Sequence, residues 1–69
     1  MTTNETAYKA LIAFKQKHSI EPNVVFMSWP TYWNLVDEIG SIEVEMFSGM
    51  HIGINPSMDM DVFEFRKEG

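Results

Sequence analysis

The sequence contains no cysteine, which excludes disulfides and zinc–thiolate sites. It contains no lysine or arginine between Lys17 and Arg66. At ordinary composition roughly six basic residues would stand in a stretch of that length. The same stretch carries Glu21, Asp37, Glu38, Glu43, Glu45, Asp59, Asp61 and Glu64. A surface of one sign repels nucleic acid and anionic membranes and steers partners of opposite charge. Direct nucleic-acid binding needs cations to neutralise phosphates, so it is not expected outside Lys9, Lys15 and Lys17. No apolar run approaches the roughly 18 residues of a membrane span, so no membrane partner is expected. The start, Met1-Thr2-Thr3-Asn4-Glu5, has neither a basic n-region nor an apolar core, so a signal peptide is not expected and a cytoplasmic location is.

What is present suffices for a core. Apolar residues make up 45% of the chain, with two tryptophans and five phenylalanines, and this sets it apart from disordered sequences. Residues 1–69 are read as a single small domain. A chain of this size buries only about 60% of the surface its unfolded form exposes. Small scaffolds of this kind draw stability from a disulfide, a metal or a partner chain. With no disulfide available, self-association into a homo-oligomer is the expectation, with the closing strand from Val62 to Arg66 as a candidate edge.

The chain divides into recognisable elements. Thr2 followed by Glu5 fits a capping box, with Asn4 as a rival N-cap. Ala7, Leu11, Phe14 and His18 recur at helical spacing, which predicts a helix over about Asn4 to Lys17. Glu21-Pro22-Asn23 is a break, and the short apolar run Val24-Val25-Phe26-Met27 reads as a strand buried on both faces. Ser28 is the next N-cap, with Pro30 in the first turn. Trp29, Tyr32, Trp33, Val36 and Ile39 form a helical stripe, expected to lie against the sheet with one of the two tryptophans partly exposed, and Gly40 stops the helix. Ile42, Val44 and Met46 then alternate with Glu43, Glu45 and Phe47, and Met50, Ile52 and Ile54 alternate with His51 and Gly53 across the Ser48-Gly49 turn. This predicts a hairpin with one buried face. After the Asn55-Pro56-Ser57 turn, a last strand is expected from about Met60 to Arg66. The fold class is α+β: one or two helices packed on a small mixed or antiparallel sheet of three to four strands, in the order α-β-α-β-β-β.

The motifs of chemistry are largely missing. His51, Asp59, Asp61 and Glu64 have the right ligand types for a divalent metal but no metal-ligand spacing, so neither metal nor cofactor is expected. Ser28 sits at a strand-to-helix turn without the Gly-x-Ser-x-Gly elbow of a nucleophile. No glycine-rich phosphate loop occurs. The expectation is a protein that is not an enzyme.

The run Val25-Phe26-Met27-Ser28 with Pro30, Tyr32, Leu35 and Gly40 resembles a segment of tailed-phage major capsid proteins and encapsulins. So does the later Gly49-Met50-His51-Ile52-Gly53-Ile54-Asn55-Pro56 with the segment Asp59 to Phe65. The resemblance covers Val24 to Phe65 and implies a small phage- or prophage-encoded protein sharing that local fold. The family's long spine helix and extended arm have no counterpart here, and the chain is far too short to build a shell subunit, so a capsid role is not implied.

The expected function is therefore that of a small acidic interaction protein that binds and modulates a basic or nucleic-acid-handling host protein, as a host-takeover or anti-defence inhibitor does. The alternative is a virion structural or assembly accessory. Expected contact residues are the carboxylates Glu43, Glu45, Asp59, Asp61 and Glu64, and the aromatic residues Trp29 and Tyr32, because tryptophan and tyrosine dominate binding surfaces when they project. Glu43 and Glu45 share a strand face, and Asp59 and Asp61 do so if their segment is extended. Met46, Met50, Met58 and Met60 are either an adaptable contact surface or core filling.

Overall fold

A computed structural model describes residues 2–40 and 46–68. Its elements are α1 (Thr3–His18), β1 (Val24–Met27), α2 (Trp29–Ile39), β2 (Met46–Phe47), β3 (Met50–Ile54) and β4 (Glu64–Arg66). The fold is α+β, and the four strands form one mixed sheet in the order β2-β3-β1-β4. β1 runs parallel to β3 and antiparallel to β4, while β2 and β3 form an antiparallel hairpin. A parallel pair requires a crossover, and α2 lies within it.

Local chemistry sets most boundaries. Thr2 is the N-cap of α1, accepting the Glu5 N–H on its hydroxyl oxygen. Ser19 closes α1 in the left-handed region, its N–H donating to the Lys15 carbonyl. Ser28 caps α2, Pro30 occupies the first turn, and Gly40 at φ 78° ends it. Ser48 and Gly49 both have positive φ, the requirement of a two-residue type I′ hairpin turn.

Both helices cover the same face of the sheet. The buried cluster comprises Ala7 and Leu11 of α1, Leu35 of α2, and Val25, Met27, Phe47, Met50 and Phe65 from the four strands. The Tyr8 ring meets Phe47 edge-on at 5.2 Å and Phe14 meets Phe65 at 5.5 Å, so α1 crosses the sheet from β2 to β4. Where α1 begins, the Glu38 carboxylate of α2 accepts the Thr3 N–H at 2.7 Å and the Asn4 N–H at 2.9 Å. Two of the orphan donors of α1 are thus capped by the neighbouring helix. The Asn4 amide is the main force holding the Glu38 carboxyl below its ordinary pKa; desolvation opposes it and the Thr3 amide adds to it.

Several expectations are corrected. β1 is not buried on both faces: Val25 and Met27 are buried, Val24 and Phe26 half-buried, because α1 and α2 both pack on the face of Val25 and Met27. The α2 stripe is rotated. Thr31, Leu35 and Val36 are buried, whereas Trp29 is 48% and Trp33 56% exposed. Thr31 and Leu35 turn inward instead, with the Thr31 hydroxyl bonded to Ser28 Oγ and to the Asp61 N–H. In the hairpin the buried face is that of Phe47, which pairs with buried Met50, while Met46 pairs with exposed His51 and points to solvent. The last strand begins at Glu64 rather than near Met60, since residues 56–61 form turns and Asp61 has φ 60°. Asp59 and Asp61 therefore do not share a strand face. Ile42, Glu43, Val44 and Glu45 lie outside the described residues.

Candidate interaction surface

The N-terminal half of α2 gathers three aromatic residues, Trp29 and Trp33 exposed and Tyr32 half-buried against the core. Four residues apart on a helix, Trp29 and Trp33 stack with centroids 6.2 Å apart and planes 21° from parallel. Tyr32 packs edge-on against both, at 6.0 Å from Trp29 and 5.7 Å from Trp33. An open groove beside this cluster is lined by Trp33, Asn34, Val36 and Asp37. Sequence reasoning named Trp29 and Tyr32 for contact and left out Trp33, although its spacing from Trp29 carries the signal.

A second segment is fastened to the same turn. The hydroxyls of Ser28 and Thr31, both buried, pair at 2.9 Å, and the Asp61 N–H donates to Thr31 Oγ1 at 2.9 Å. The loop that holds Asp61 is itself built from local bonds. Asn55 Oδ1 accepts the Ser57 N–H, the Asn55 carbonyl accepts the Met58 N–H, and the Asp59 carbonyl accepts the Val62 N–H. Asp59, exposed Met60 and Asp61 are thereby held at the end of α2 that carries the indoles. Ser28 is committed to this cap, which accounts for its position at a strand-to-helix turn.

The remaining site candidates lie elsewhere. Glu64 is on the open sheet face, 2.9 Å from Arg66. The Arg66 guanidinium sits 5.0 Å above the Phe26 ring. That ring in turn lies on Gly53, its register partner in β3, where an added Cβ would stand 2.5 Å from Phe26 Cε1. His51 is exposed on the same face. Among the described residues no three of His, Asp and Glu come together in a way that would hold a metal ion. Ion pairs among the described residues join Lys15 to Glu21 and Arg66 to Glu64. No helix among the described residues is long and apolar enough to cross a membrane. No family model, curated protein or solved structure matches the chain.

Proposed function

We propose that this protein is a non-catalytic interaction module that engages a protein partner with a basic surface through the Trp29–Tyr32–Trp33 cluster. The single observation that carries this reading is the pair of stacked, half-exposed indoles on a chain with no lysine or arginine between Lys17 and Arg66. Burial of those rings against a partner removes a large apolar area from water. A guanidinium laid on an indole gains a cation–π contact, and Asp37 in the groove beside Trp33 supplies a carboxylate for its N–H groups. Asp59 and Asp61, held at the same end of the helix, extend the negative rim. Complementary charge of this kind acts chiefly on the association rate. The resemblance to capsid segments is what attaches the module to a phage setting, with a host protein as its target.

The test uses an arginine-rich peptide as probe, followed by tryptophan fluorescence. Binding is expected to weaken about tenfold on Trp33→Ala, in the range of a binding hot spot, and to fall again in half-molar salt. Trp33 is more than half exposed, so the variant should melt close to the wild type. Absence of binding, or an affinity indifferent both to Trp33→Ala and to salt, would overturn the proposal.

A further inference from the structure

β4 lies at the edge of the sheet, and among the described residues its one neighbour is β1. Which of its backbone groups face outward follows from the hydrogen bonds of β1. The carbonyls of Asn23 and Met27 accept the N–H groups of His51 and Asn55, on the β3 side. Successive residues of a strand alternate in direction, so Val24 and Phe26 turn their N–H and C=O groups toward β4. Their register partners Arg66 and Glu64 therefore face β1, and the Arg66 carbonyl also takes the Asn23 N–H. The strand is held beyond its end by the Asn23 side chain, which donates to the Glu68 carbonyl at 2.6 Å and accepts the Glu68 N–H at 2.7 Å. By the same alternation, Phe65 and Lys67 direct their backbone groups away from the sheet. An edge of this kind templates another strand.

We propose that the strand it takes is β4 of a second copy, antiparallel about a two-fold axis through Phe65. In that register the two Phe65 residues exchange both backbone hydrogen bonds. Glu64 then stands opposite the second copy's Arg66, and Arg66 opposite the second copy's Glu64. These flanking positions are the non-hydrogen-bonded pairs of an antiparallel ladder, where side chains approach more closely and opposite charges stabilise. Other registers fail on charge: centring on Arg66 sets arginine on arginine, and centring on Lys67 sets lysine on lysine. The axis stands perpendicular to the sheet, so both copies keep their helices on one side and the two sheets join into a continuous sheet of eight strands. The chain's own sequence thus carries both halves of the complementary pair two residues apart.

The test is sedimentation of the purified protein in the micromolar range, where twice the 8.0 kDa chain mass is expected. Glu64→Arg and Arg66→Glu, taken singly, place like charges across the axis, and each should raise the dimer dissociation constant about tenfold or more. Mixing the two variants restores opposite charges at both positions, so a heterodimer should re-form. Lys67→Pro removes an outward N–H without touching the β1–β4 bonds, and should yield a folded monomer by circular dichroism. It also decides the matter if a charge variant fails to fold. A monomeric wild type, charge variants as dimeric as the wild type, or a mixture that stays monomeric would overturn the proposal.

Discussion

The two faces of the sheet are built by the same strands and stabilised in opposite ways. On the covered face, Val25, Met27, Phe47, Met50 and Phe65 lie beneath α1 and α2, and burial comes from elements distant in sequence. On the open face, Phe26 is half-buried on the side opposite α1 and α2. It lies on the backbone of Gly53 and under the guanidinium of Arg66, so the shelter comes from its two neighbouring strands. Four apolar residues in a row therefore do not require two covered faces. One bulky ring, a glycine beneath it and a cation above it protect the second face of a central strand.

The contrast yields graded predictions. Met27→Ala on the covered face should lose about 2–5 kcal/mol in urea unfolding, the range for large-to-small changes at filled core positions. A loss as small as that of a surface substitution would mean that the helices do not seal this face. Gly53→Ala should destabilise by about 1–3 kcal/mol, because the new methyl displaces the Phe26 ring. Phe26→Leu in the same chain should recover part of that loss; if it does not, the glycine serves the backbone and not the ring.

The smallest effect concerns the clasp that ties the two helices of the covered face together. The folded-state pKa of Glu38 is depressed, so its contribution is present at neutral pH, above the unfolded value of the carboxyl. It is lost as pH falls from the ordinary carboxylate range through the depressed value. Melting temperature followed from neutral pH into acid should drop more in the wild type than in Glu38→Gln, and the two curves should converge at low pH. Parallel curves would show that the Thr3 and Asn4 amides do not depend on the charge of Glu38.

Elements with local signals were legible before the structure. β1 and α2 are observed at the residues the sequence predicts, and α1 within one residue at each end, because caps, proline and left-handed residues act within a few positions of one another. The start of β4 was not legible. Val62 and Phe63 alternate like strand residues, but the bond from Asp61 to Thr31 keeps the preceding chain on α2 and away from β1. The rotation of α2 was equally hidden. The aromatic residues form the strongest apolar stripe, yet the helix buries Thr31, whose hydroxyl is satisfied by Ser28 and Asp61. Of the candidate contacts, Trp29 and Tyr32 do lie together, with Trp33 added. Asp59 and Asp61 reach the same end of α2 through hydrogen bonds that no spacing announces. Glu43 and Glu45 lie outside the described residues.

By itself the sequence determined the element order, the helix caps, the hairpin turn and the absence of basic residues between Lys17 and Arg66. These depend on side chains acting on their own backbone or on composition alone. The tertiary structure decided which face of α2 is buried, which residue of the hairpin points inward, that Glu38 caps the opposite helix, and that β4 takes the edge next to β1. Each of these is a choice between faces or neighbours of similar local energy. It is settled by how much volume fits between the helices and the sheet, and by which buried donors find acceptors across long stretches of chain.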